Sequence, residues 1–192
     1  MDLLVTLGRA MGFSFAAGIN LYATVAVLGL ASRYEWVSLP PQFRVFDNDI
    51  VIITALVMYV IEFLADKIPL VDSLWDAVHT VIRPVGGAVL AVTTLGEASP
   101  TVEGLVALLG GTVAATTHFG KAGTRAAVNT SPEPFSNWGL SLGEDVFVVG
   151  LGLLALQYPA AAAVVVLVLL ATMVFFAAWI VRAVRRRFSR QS

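Results

Sequence analysis

The sequence predicts an all-α fold: a polytopic membrane helix bundle of about six transmembrane helices plus a short amphipathic helix on the cytoplasmic side. Three observations predict it. The 192-residue chain is 58% hydrophobic and 13% charged, with a mean hydropathy of +0.84. Soluble domains average about 45–50% and about 25%. A chain this short hides too small a share of its surface to be this apolar in water, so its solvent is a bilayer. The charges are also clustered, which leaves long charge-free runs, and the basic residues fall mostly on one side of the spans that these runs define.

The first span covers 3–32, around the charge-free run 10–32. It contains Gly18 and Asn20, a pair that marks either a close helix contact or a local unwinding. Residues 33–48 (RYEWVSLPPQFRVFDN) form an external loop interrupted by Pro40-Pro41, with Tyr34 and Trp36 as interfacial aromatics. The second span, 49–66, needs Glu62 and its neighbours to complete a crossing. An amphipathic piece at 72–82 leads into a third span, 83–97. Both short spans could cross fully or be re-entrant. The fourth span is 101–129, followed by an internal loop at 130–139. The run 146–181 is charge-free but contains Gln157-Tyr158-Pro159. Proline suits a first helical turn and disrupts an interior, so this run divides into spans 141–157 and 160–187. The whole chain, 1–192, reads as one transmembrane domain with a basic cytoplasmic tail at 182–192.

Orientation follows from basic residues. With both termini inside, the cytoplasmic side receives Arg9, Lys67, Arg83, Lys121, Arg125, Arg182, Arg185, Arg186, Arg187 and Arg190, and the other side only Arg33 and Arg44. The tail after the last apolar run reads as a topology anchor, not a nucleic-acid site. Membrane lipids are therefore the expected partners, and a homo-oligomer is left open. Asp2 and the lack of a basic start argue against a cleaved signal peptide. No cysteine is present, which excludes disulfide and thiolate chemistry. No GxxxxGK[ST], HExxH or GxSxG motif occurs.

The stretch 61–84, IEFLADKIPLVDSLWDAVHTVIRP, gathers Glu62, Asp66, Lys67, Asp72, Asp76, His79 and Arg83. Asp72, Asp76, His79 and Arg83 share one helical face. Three readings compete. Asp72, Asp76 and His79 could hold a divalent cation; the face could line a path for an ion or solute; or it could be the wet side of an interfacial helix, with Ser73-x-x-Asp76 a capping box. A complementary stripe, His118, Lys121 and Arg125 with Asn129 beyond, lies on the fourth span. It either meets the acidic face or snorkels past the headgroups. Ser141-x-x-Glu144 fits a capping box, which leaves Asp145 as the unexplained acid.

The segments AGINLYATVAVLGLASRY, ADKIPxxD with RP, HxxKAGxR and SxxED resemble a bacterial integral-membrane family known only as a domain of unknown function. The resemblance spans about 15–159 and implies Asp66, Lys67, Asp72, Asp76, Arg83, His118, Lys121, Arg125, Asn129, Glu144 and Asp145 as polar positions. It also implies a bacterial cytoplasmic (inner) membrane location, and it carries no activity. From the residues, the leading expectation is a transporter or channel-like protein for a small ion or polar solute. The alternatives are a metal-dependent membrane enzyme acting on a lipid headgroup and a structural subunit.

Overall fold

The computed structural model describes residues 3–37, 39–129 and 135–188. Residues 130–134 of the predicted internal loop, and the last four residues of the basic tail, lie outside them. Among the described residues all regular structure is helical: α1 (Leu3–Ile19), α2 (Leu21–Arg33), a 3-10 segment (Pro41–Phe46), α3 (Asp49–Ala65), α4 (Pro69–Thr93), α5 (Pro100–Val128), α6 (Phe135–Gln157) and α7 (Pro159–Phe188). Helices α5, α6 and α7 are long and apolar enough to cross a membrane, and α1 and α2 are shorter apolar helices.

The expected single span 3–32 is two helices. Asn20 takes extended backbone angles (φ −146°, ψ 100°) and its side chain caps α2 by accepting from the Ala23 amide. The neighbours of each half show that the chain turns back at this residue. On α1, Gly8 abuts the Pro159 carbonyl, Arg9 donates to the Leu156 carbonyl, Gly12 meets Ala155 and Phe15 packs edge-on against Phe147. Thus α1 runs antiparallel to α6. On α2, Asn20 meets Asp145 and Val27 meets Gly152, so α2 runs parallel to α6. The two helices are the arms of a hairpin whose tip is Asn20. Both arms begin or end near the α6–α7 turn, here termed the hairpin end of the bundle. The opposite end, with the α3–α4 turn and the start of α6, is the polar end.

The hairpin corrects the expected topology. The start of α1 lies at the hairpin end, whereas α7 runs from Pro159 at that end to Met173 beside Gly120 and on to the polar end. The two ends of the described chain are therefore at opposite ends of the bundle, where the sequence led us to expect both on one side. Gly18 permits the tip's approach to α5, since a Cβ there would stand 2.5 Å from the Ala114 carbonyl oxygen. Gly18 and Asn20 thus make both the close contact and the unwinding that the sequence offered as alternatives.

Helix α4 supplies the second correction. The expected amphipathic piece 72–82 and span 83–97 are one helix that continues through Pro84. Its charged stripe, Asp72, Asp76, His79 and Arg83, is only 0–5% exposed. The opposite stripe, Leu70, Leu74, Val78, Val81, Val85 and Val89, is 57–72% exposed. An amphipathic helix in water would present the reverse. This inside-out pattern, with the exposed valines, leucines and aromatics of α3 and α7, describes a membrane protein with lipid as its outer solvent. The reading of α4 as a wet interfacial helix fails on this observation.

Candidate functional site

The charged residues of α3, α4, α5 and α6 converge in one network on the polar-end side of the hairpin tip. Three cations organise it. Arg83 Nη2 meets Glu62 Oε1 at 2.9 Å, while its Nη1 donates to Asp76 Oδ1 at 2.9 Å and to His118 Nδ1 at 2.8 Å. A guanidinium only donates, so His118 Nδ1 accepts and the ring carries its proton on Nε2. That proton faces Thr80 Oγ1 at 3.1 Å, whose own hydrogen goes to the Asp76 carbonyl. The acidic stripe of α4 and the basic stripe of α5 therefore do meet.

Lys121 stands nearest the hairpin. Its Nζ lies 3.2 Å from both Asp66 Oδ2 and the Ile19 carbonyl, and 3.6 Å from Glu62 Oε1 and Glu144 Oε2. Arg125, one turn further along α5, holds Asp66 Oδ2 at 2.7 Å and Glu144 Oε2 at 2.8 Å, and also donates to Asn137. Asn129 closes the network by donating to Asp72 Oδ2 at 2.7 Å. Arg83, Lys121 and Arg125 are all buried, which is tolerable in such a place only because each is multiply paired.

Two groups sit at the margins. Lys67, in the α3–α4 turn, lies over the Phe63 ring and donates to the Phe63 carbonyl and to Ser141 Oγ, both at 3.1 Å. Burial holds its ammonium below the usual lysine range, against the opposing pull of Asp145 and Asp66. Asp145 is buried at the hairpin tip, where Oδ1 accepts from Asn20 Nδ2 at 3.3 Å and Oδ2 has no hydrogen-bond partner among the described residues.

Asp72, Asp76 and His79 turn to different partners and do not form a metal centre. Asp72 faces Asn129 and Asp76 faces Arg83. His79 uses Nδ1 on the Trp75 carbonyl at 2.8 Å and Nε2 on the Tyr22 hydroxyl at 3.0 Å, stacked on Trp75. Among the described residues no group of three His, Asp or Glu side chains is placed to hold a metal ion. Both expected capping boxes also give way. Ser73 Oγ donates to the Pro69 carbonyl, and α6 begins at Phe135, so Ser141 lies within the helix. Glu144 pairs with Arg125 and Lys121 instead. Sequence reasoning missed Tyr22, Thr80, Asn137 and the Ile19 carbonyl, and took Ser141 only for a cap, because single polar groups in such runs look like ordinary helix residues. The spacing of Ser141 and Asp145 (i, i+4) was the one available signal.

The network is unbalanced in charge. Glu62, Asp66, Asp72, Asp76, Glu144 and Asp145 are six carboxylates; Lys67, Arg83, Lys121 and Arg125 are four cations. Buried oxygens of Glu62, Asp66, Asp72 and Asp145 have no hydrogen-bond partner among the described residues. A cavity of about 270 Å³ between α4 and α5, lined by Ser73, Asp76, Thr80, His118 and Arg125, reaches the network from its flank.

Residues 7–179 match the model of a family described as Domain of unknown function (DUF4126). No curated protein and no solved structure matches the chain.

Proposed function

The chain belongs to the DUF4126 family, and from its own geometry we propose that it is a transporter or channel-like protein that moves a small ion or polar solute through the buried charged network. The observation that carries this reading is the surplus of carboxylates at a helix break. Buried charges in a membrane span are costly and face a partner or a pathway. Here two acids exceed the available cations, and the surplus favours a cation or a proton as the moving species. Non-helical backbone at membrane depth is tolerated where it is buried in protein or lines a cavity, and Asn20 places such a break beside Asp145.

The polar end is the cytoplasmic end of a multi-pass protein of the bacterial inner membrane. With Arg9, Arg33 and Arg44 at the hairpin end, Lys67, Arg83, Lys121, Arg125 and the C-terminal arginines still outweigh them. The hairpin then enters from the outside and α3 to α7 make five crossings. The test is purified protein in liposomes loaded with a pH-sensitive dye and exposed to imposed cation gradients. Flux above that of protein-free vesicles, lost in Asp66→Asn, is the expected result. Protein vesicles indistinguishable from empty ones would overturn the reading.

A further inference from the structure

A second cavity, of about 720 Å³, lies between α1, α5, α6 and α7. Its wall is mostly apolar, with Phe15, Leu140, Phe147, Met173, Phe176 and Ile180 contributing. Phe176 and Ile180 are exposed, so the cavity opens toward lipid. Helix α7 is packed against α1 at Gly8 and Gly12, near the hairpin end, and forms one wall of the cavity further along. The volume falls in the range of about 300–1,000 Å³ that small-molecule sites occupy.

Lys121 apart, the polar side chains in this wall present acceptors. Thr117, Thr124 and Thr172 each spend the hydroxyl hydrogen on the carbonyl four residues earlier, at 2.8–2.9 Å, and so present lone pairs. Lys121 lines the cavity, but its ammonium is directed to the Ile19 carbonyl, Asp66, Glu62 and Glu144. Glu144 is the network's one acid in the cavity wall, and its side chain keeps 13% of its surface open. Behind it stands the surplus of buried carboxylates. The cavity therefore offers acceptors and the partly open Glu144 carboxylate in an apolar setting, while its one cation, Lys121, is already engaged and leaves no spare donor for an anion.

We propose that this cavity binds a hydrophobic cation, an organic ammonium or phosphonium whose apolar body packs on Phe147, Met173 and Phe176 while its charge lies near Glu144. Complementarity of charge selects this occupant over an acyl chain, which would use the apolar wall and ignore the acid. The site adjoins the network but does not require the network to conduct.

The test uses two probes of the same shape and opposite charge, tetraphenylphosphonium and tetraphenylborate, in equilibrium dialysis with the full chain in a neutral detergent. Saturable phosphonium binding, with borate weaker by about tenfold or more, is expected. Glu144→Gln should weaken phosphonium binding by about tenfold. Because Glu144 also pairs with Arg125, a second variant, Ala177→Phe, fills the cavity from α7 without touching the network, and should abolish binding at an unchanged melting temperature. Asp145→Asn should leave binding intact, which separates this claim from the transport reading. Equal affinity for both ions, no phosphonium binding, or binding that survives Ala177→Phe would overturn the proposal.

Discussion

The ammonium of Lys121 on α5 lies 3.2 Å from the backbone carbonyl of Ile19, the last residue of α1. A helix C-terminus carries unpaired carbonyls and the negative end of the helix dipole, so a cation there stabilises the break. The same ammonium faces Asp66, Glu62 and Glu144. Lys121→Met would strand all of these groups together. The expected loss is about 3–5 kcal/mol, the usual cost of removing one partner from a buried ionic cluster. Thermal unfolding in detergent measures it, and Lys121→Arg should recover part of the loss.

The hairpin makes a topological prediction that the absence of cysteine renders simple to read. Single cysteines at Leu3, Tyr158 and Arg182 report the two ends of the bundle. Leu3 and Tyr158 are exposed near the hairpin end, and Arg182 lies toward the far end of α7. A membrane-impermeant maleimide applied to intact cells should modify Leu3→Cys and Tyr158→Cys and spare Arg182→Cys. Protection of Leu3→Cys together with Arg182→Cys would restore the single span that the sequence suggested.

Much of this arrangement was legible beforehand, for physical reasons. Periodicity placed Asp72, Asp76, His79 and Arg83 on one face and His118, Lys121 and Arg125 on another, and opposite charge in a low dielectric brings such faces together. What periodicity does not report is which face looks inward. The rule for water puts charges outside, and only the exposed leucine and valine stripe of α4 reverses it. The hairpin was hidden for a different reason: hydropathy measures the length of an apolar run and is blind to a reversal within it. Gly18 and Asn20 were the local sign, and one extended residue, Asn20, suffices to turn the chain. Glu144 was obscured by a capping motif that the longer α6 makes irrelevant.

Lys67 and Lys121 are the chain's two lysines, and they differ in a way that chemistry can read. Burial lowers the pKa of Lys67, so a larger share of its amine is neutral at mildly alkaline pH than for an ordinary lysine. Because the folded value lies below the unfolded one, this residue's contribution to stability rises as pH climbs through that interval. An amine-acylating reagent at about pH 8.5 should modify Lys67 faster than the fully buried Lys121. After denaturation the two should react alike, as peptide mass spectrometry would record. Faster modification of Lys121 in the folded protein would contradict the placement of both.

The central claim is that the surplus carboxylates carry ions and do not merely cement helices. Asp145 separates these roles best, because among the described residues its side chain's one hydrogen bond is to Asn20, and asparagine at 145 can still accept it. Flux through liposomes containing Asp145→Asn, compared with the unaltered protein at equal melting temperature, tests the claim most directly. Loss of flux with the fold intact is the predicted result; undiminished flux would contradict it.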